Sequence, residues 1–265
     1  MVTLSLGFSP CPNDTFIFYA LVHGLVDAPA FAPPCLEDVE TLNEWALAGR
    51  LDVTKLSFHA YGLVRDRYAL LASGGALGRG CGPLLVQRPG RPLDLGRATV
   101  AIPGRYTTAA LLLRLYAPEV GGLRCLRFDQ IMPAVAAGEV DAGVIIHESR
   151  FTYQAHGLAA AVDLGAWWEE STGLPIPLGC IAARREMGEA RIAEVEQAIR
   201  QSVDWAFAHP QDALPWIRRH AQELDDAVIA SHIELYVNDF SRDLGEEGQR
   251  AVAALLERGR RAGVF

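Results

Sequence analysis

One phrase of this sequence occurs twice. Ala48-Gly49-Arg50-Leu51-Asp52-Val53-Thr54-Lys55-Leu56-Ser57-Phe58-His59 aligns without gaps on Ala137-Gly138-Glu139-Val140-Asp141-Ala142-Gly143-Val144-Ile145-Ile146-His147-Glu148. Each copy reads as a helix end closed by glycine, a tight turn, and a short strand that gives way to polar residues at its carboxyl end. Each is preceded by an apolar stripe at helical spacing: Val39, Leu42, Trp45 and Ala46 in the first copy, Ile131, Val135 and the following alanines in the second. A chain with this pattern folds as two related α/β halves. Ligands of open α/β sheets collect beyond the carboxyl ends of strands, so the repeat predicts one cleft shared by Lys55/Ser57 and His147/Glu148.

Each half also opens alike. Val2 to Phe8 reads as a strand, followed by the elbow Ser9-Pro10-Cys11-Pro12-Asn13-Asp14 and a helix from about Thr15 to Val22, with Asn13 and Asp14 as amino-terminal caps. Ala98 to Ile102, the elbow Pro103-Gly104-Arg105-Tyr106-Thr107 and a helix from Thr108 to Tyr116 repeat the grammar. Gly82 to Arg88 and Pro177 to Arg184 read as strands that carry the chain from one half to the other and back. Gly74 to Gly80 reads as a flexible turn, since it lacks the Lys-Ser/Thr ending of a phosphate loop. Helices are expected from Glu189, over Pro210 to His220, Asp225 to Val237 and Glu246 to Ala262.

The expected fold class is therefore α/β, in two lobes. Residues 1–90 and 179–265 form a discontinuous first lobe with carboxyl-terminal helices, and residues 91–178 form an inserted second lobe. This plan resembles the type 2 periplasmic-binding-protein architecture, with a central cleft and two crossing hinge strands that let the lobes close on a small molecule.

Half of the 265 residues are apolar, enough for substantial cores, and the net charge of −8 argues against a general nucleic-acid surface. The five cysteines are scattered and never spaced as CxxC, so no disulfide framework or zinc site is indicated and a reducing compartment follows. No segment approaches the roughly 20 apolar residues of a membrane helix, and the amino terminus shows no basic leader. A cytoplasmic protein is expected.

The chemistry-bearing residues gather at the predicted strand ends. The first elbow, with Ser9, Asn13 and Asp14, leaves backbone N–H groups at a helix amino terminus, where an anionic group is favoured; its residues also read as simple caps. Cys11 lacks the nearby base a nucleophile needs. Thr107 and Thr108 stand at the equivalent elbow, as ligand donors or as caps. Strand alternation sends Lys55 and Ser57 to one face and Leu56 to the other. His147 follows the apolar run Val144-Ile145-Ile146, where an imidazole serves as a general base near neutral pH or as a satisfied structural group. Glu148 can orient it or meet solvent. No second histidine completes a metalloprotease motif, so no metal is expected. Trp167 and Trp168 read either as stacking surfaces or as packing.

Taken together, these phrases resemble the 1,4-dihydroxy-6-naphthoate synthases of the futalosine route to menaquinone. The resemblance rests on Gly7-Phe8-Ser9-Pro10-Cys11-Pro12-Asn13-Asp14-Thr15-Phe16, Thr54-Lys55-Leu56-Ser57, Pro103-Gly104-Arg105-Tyr106-Thr107-Thr108 and Ile145-Ile146-His147-Glu148-Ser149-Arg150-Phe151-Thr152-Tyr153, and runs to about Glu247. It implies a lyase-type enzyme without metal or organic cofactor that converts cyclic dehypoxanthinylfutalosine to 1,4-dihydroxy-6-naphthoate. It also implies His147 as general base and Lys55, Leu56, Ser57, Thr107 and Thr108 as substrate-binding positions. The competing readings are chorismate dehydratase of the same pathway and a solute-binding protein without catalysis. The expected partner is a small-molecule substrate, with neither nucleic acid nor membrane.

Overall fold

Parallel strands need helical crossovers, and this chain supplies them twice in the same order. The computed structural model describes residues 3–221 and 225–265. The first half runs β1 (Leu6–Phe8), α1 (Pro12–Val22), β2 (Cys35–Leu36), α2 (Val39–Leu47), β3 (Val53–Ser57), α3 (Phe58–Val64), β4 (Tyr68–Leu70) and β5 (Ala76–Gly78). There follow β6 (Leu84–Gln87), β7 (Thr99–Ile102), α4 (Thr108–Tyr116), β8 (Gly122–Cys125), α5 (Phe128–Ala137), β9 (Ala142–Ile145), α6 (Ser149–Thr152), β10 (Ala159–Asp163) and α7 (Leu164–Thr172). The chain closes with β11 (Ile176–Arg184), α8 (Glu189–Ala208), α9 (Pro210–His220), α10 (Asp226–Tyr236), α11 (Asp239–Arg242) and α12 (Gly245–Arg261).

The first sheet has the order β2-β1-β3-β11-β4, with β5 also on β11, and the second β10-β6-β9-β7-β8. β1 lies parallel to β2 and β3, and β7 parallel to β8 and β9. Each sheet takes one antiparallel neighbour on the repeat strand, β11 beside β3 and β6 beside β9. The repeated phrase is thus a repeated structure. Its two aspartates do the same work: Asp52 Oδ2 accepts the N–H of Ser5 and Asp141 Oδ2 that of Thr99, each at 2.8 Å, and each tacks the repeat strand to the opening strand of its half. The two glycines take left-handed turns out of their helices, Gly49 at φ 65° and Gly138 at φ 80°.

Several boundaries differ from the sequence expectation. α1 begins at Pro12 rather than near Thr15, because proline at the first helical position has its φ preset and no N–H to lose. Asn13 and Asp14 therefore lie inside the first turn, and the flanking residue Cys11 makes no side-chain cap. The expected strand from Val2 shortens to Leu6–Phe8, preceded by an isolated bridge between Leu4 and Phe31; Val2 itself lies outside the described residues. The glycine-rich turn at 74–80 contains β5, which pairs with β11. β6 hydrogen-bonds only within the second sheet, so the chain leaves the first sheet between Gly78 and Leu84 and returns between Asp163 and Ile176. At this double passage a Cβ on Gly82 would stand 2.2 Å from the Gly165 backbone, so the two segments pass without side chains between them.

The carboxyl-terminal helices cover the first sheet. Val195, Ile199, Val203 and Ala206 of α8 pack with Phe16, Ile17, Phe18 and Leu21 of α1 and with Ile217 of α9 and Ile229 of α10. Fully buried Ser202 closes that contact, donating to the Ile17 carbonyl at 2.6 Å and accepting the Leu21 N–H at 3.0 Å. A second core joins β7, β9 and α4 to α3, β11 and α12. No helix among the described residues is long and apolar enough to cross a membrane.

Candidate functional site

A cavity of about 660 Å³, counting its mouth, is walled by the carboxyl ends of strands and the amino ends of helices from both sheets. Ser9, Asn13, Asp14, Lys55, Leu56 and Ser57 line it from the first half, and Thr107, Thr108, Ile146 and His147 from the second. The expected base, the expected substrate-binding positions and Ser9, Asn13 and Asp14 of the first elbow all border this one space, whereas Cys11, Glu148, Trp167 and Trp168 do not line it.

Lys55 is buried on β3, and its Nζ lies 2.5 Å from Asp14 Oδ1 and 3.2 Å from the Gly74 carbonyl. A buried ammonium is tolerated because a carboxylate compensates it. Nζ carries three protons, so one remains for the cavity. Asp14 in turn stiffens the elbow, accepting the Ser9 hydroxyl at 2.7 Å and the Ser9 N–H at 3.2 Å on Oδ2. Asn13 Nδ2 donates to Asp14 Oδ1 at 2.9 Å.

Ser57 shares the Lys55 face, and Asn43 grips it at two points. Asn43 Nδ2 donates to Ser57 Oγ at 3.1 Å, and the Ser57 N–H donates to Asn43 Oδ1 at 2.9 Å. Leu56 points the other way, into the core with Phe58 and Tyr68, while still bordering the cavity.

The two threonines are committed inside the protein. Thr107 caps α4, its hydroxyl accepting the Ala110 N–H at 3.2 Å and donating to the Gly104 carbonyl at 2.9 Å. Thr108 Oγ1 donates to the Leu178 carbonyl of β11 at 2.6 Å. Thr108 and Ala109 border the cavity, and their amides lie in the first turn of α4, where no helical carbonyl reaches them. His59 joins the halves here, its Nδ1 3.1 Å from the Thr107 carbonyl. Burial pulls the His59 imidazole down to about 4, so it is neutral and donates that bond.

His147 stands two residues beyond β9 with φ 56°, the single non-glycine residue at positive φ among the described residues. Histidine is among the residue types that tolerate this region. Its ring meets Phe128 edge-on at 5.2 Å and lies nearly parallel to His232 at 6.2 Å. Among the described residues no hydrogen bond holds the ring, and packing and backbone aim it.

Glu148 is buried beside His147, and together with Cys11 the three present donor atoms within 4.8 Å of one another. Burial first, and then the nearby Glu148, push the Cys11 thiol well above its usual range; a protonated thiol is a poor nucleophile and a poor metal ligand. The tryptophans belong to packing. Trp168 is fully buried with Nε1 3.0 Å from the Pro175 carbonyl, Trp167 meets Tyr116 edge-on, and neither borders the cavity.

Sequence reasoning missed Asn43, His59, Cys81, His232 and Tyr236. His59 closes the first copy of the repeat, opposite Glu148, and was legible there. His232 and Tyr236 come from α10, far away in sequence, and only the packing of α10 on α1 brings them to the cavity.

A protein-family model described as menaquinone biosynthesis matches residues 4–261. The chain is 62% identical over 257 residues to a 1,4-dihydroxy-6-naphthoate synthase of Thermus thermophilus, covering 97% of this chain and 93% of that one. It is 48% identical over 261 residues to the enzyme of the same name from Streptomyces coelicolor, covering 97% and 92%. A crystal structure of an Archaeoglobus fulgidus protein superposes with a TM-score of 0.94 at 36% identity, covering 99% of this chain and 98% of that one. The alkanesulfonate-binding protein of Xanthomonas axonopodis gives 0.71 at 16% identity over 100% and 94%, a likeness of fold that identifies the architecture as periplasmic-binding-protein-like. The match over nearly the whole length, joined to a cleft built from both copies of the repeat, assigns this chain to the menaquinone biosynthesis family.

Proposed function

We propose that this protein is a lyase that converts cyclic dehypoxanthinylfutalosine to 1,4-dihydroxy-6-naphthoate, with His147 as general base. The names of the two relatives support the reaction. The observation that carries the mechanism is His147 itself: an imidazole at a strand end, on the cavity wall, held by a left-handed backbone opposite the Lys55–Asp14 pair. His147 takes a proton from the carbon next to a carbonyl. The electron pair left behind forms an enolate; its collapse restores the carbonyl and expels the leaving group from the neighbouring carbon, the departing group takes up the proton held by His147, and tautomerisation of the ring ketone to a hydroxyl makes the ring aromatic. The remaining Lys55 proton stabilises the oxyanion as it forms. The amides of Thr108 and Ala109, at the positive end of α4, receive the substrate carboxylate. Two lobes closing over the cleft exclude water from the enolate.

The reaction requires only a small-molecule substrate and side chains. Five unbridged cysteines fit a cytoplasmic site of action. The test is naphthoate release by wild type and by His147→Ala. Loss of turnover, about a hundredfold or more, with substrate still bound supports the base role; full turnover in a folded variant removes it. Chorismate, offered in parallel, is expected to remain unconverted, and binding of the futalosine derivative without turnover would return the protein to the solute-binding class.

A further inference from the structure

His232 of α10 is fully buried, lines the cavity beside His147, and has no role in the reaction as described. Its two ring nitrogens differ in a way the surrounding network fixes. Nε2 lies 3.0 Å from Asn13 Oδ1. The other end of that amide donates to Asp14 Oδ1, an oxygen that also receives Lys55 and can only accept. Turning the amide over would set oxygen against oxygen, so its carbonyl faces His232 and Nε2 carries the proton. Nδ1 is left with a lone pair, and that atom is buried with no hydrogen-bond partner among the described residues. Burial, with the neighbouring His147 and Lys55, holds the imidazole well below its usual range and keeps it neutral. A buried acceptor without a partner is costly and marks a place where a partner is missing.

We propose that His232 is a substrate-binding residue whose Nδ1 accepts a hydrogen bond from a hydroxyl on the sugar-derived part of the substrate, an inference that rests on the function proposed above. The acceptor is preset by the relay from Lys55 through Asp14 and Asn13, so one network fixes both a donor and an acceptor on the first-half wall. The near-parallel ring of His147 lies 6.2 Å away, which puts the gripped hydroxyl next to the base.

The experiment compares wild type with His232→Gln, whose amide reaches toward the Nε2 position and keeps a donor for Asn13 but offers no acceptor at Nδ1. We expect KM for cyclic dehypoxanthinylfutalosine to rise about tenfold or more. Affinity for 1,4-dihydroxy-6-naphthoate, which carries only aromatic hydroxyls, is expected to stay within about twofold. Equal loss for both ligands would make His232 a structural residue, and no loss for either would leave Nδ1 without a function; each overturns the proposal. A wild type that releases no naphthoate overturns the parent reading instead, and this inference with it. Should His232→Gln fail to fold, 15N spectra of the His147→Ala protein decide. An unprotonated Nδ1 resonance that moves when the futalosine derivative is added supports the assignment, and a protonated or unmoved one refutes it.

Discussion

The Glu40 carboxylate, on α2 of the first half, accepts the backbone N–H of Tyr106 in the elbow of the second, at 3.0 Å from Oε1 and 3.2 Å from Oε2. Asn43, which also grips Ser57, donates to the same carboxylate at 3.1 Å. One acid thus ties the approach of the halves to the position of a cavity-lining serine. Burial raises its affinity for a proton above that of a free glutamate, the penalty of holding it in this closed contact.

Glu40→Ala is expected to raise KM for the substrate several-fold and to lower stability by about 1–2 kcal/mol, with Glu40→Gln closer to wild type because an acceptor remains. Gly104→Ala should act alike without touching the acid. A Cβ there would stand 2.3 Å from Glu40 Cδ and 2.4 Å from Oε2, displacing the carboxylate. Urea unfolding and steady-state kinetics check both; a Gly104→Ala protein identical to wild type would mean that the contact does not govern closure.

The Lys55–Asp14 pair predicts an asymmetry. Asp14→Asn strands a buried ammonium and is expected to cost about 3–5 kcal/mol. Adding Lys55→Met to that variant removes the stranded charge and should recover a good part of the loss while abolishing turnover. Denaturation of the two single variants and the double variant gives the coupling, and strict additivity would contradict a paired charge.

His59 sets a pH dependence with a definite sign. The folded protein keeps this imidazole neutral down to about 4, mainly through burial, whereas the unfolded chain takes up a proton below about 6.5. Its contribution is complete above pH 6.5 and is lost as the pH falls toward 4, by up to about 3 kcal/mol. His59→Asn keeps a donor near Nδ1 without a titrating group, so its unfolding free energy should fall less steeply through that window. His232, depressed in the same direction, keeps a residual slope in both proteins. Equal slopes for variant and wild type would exclude His59 as a source.

The repeat made the fold legible because it fixes strand, turn and helix in a set order, and because alternation along β3 separates Lys55 and Ser57 from Leu56. Residues on the two strand ends could therefore be brought to one cleft from sequence alone. The passage between sheets was misjudged, since Leu84, Leu85 and Val86 say that a strand is buried and not which sheet it joins. The threonines stayed open between two readings for another reason: capping and ligand binding ask for the same hydroxyl, and the sequence does not show that the Gly104 and Leu178 carbonyls take up the two hydroxyl protons. His232 carried no local signal, because its meaning comes from Asn13, more than half the chain away.

Aligned copies of the repeat put Phe58 and His147 at the same register, yet one sinks into the core at the start of α3 while the other turns back on a left-handed dihedral. A duplicated framework of this kind becomes an asymmetric tool through a single change of handedness. Under the proposed mechanism, the half that keeps its ordinary geometry serves as the anvil, and the half that breaks it supplies the working edge.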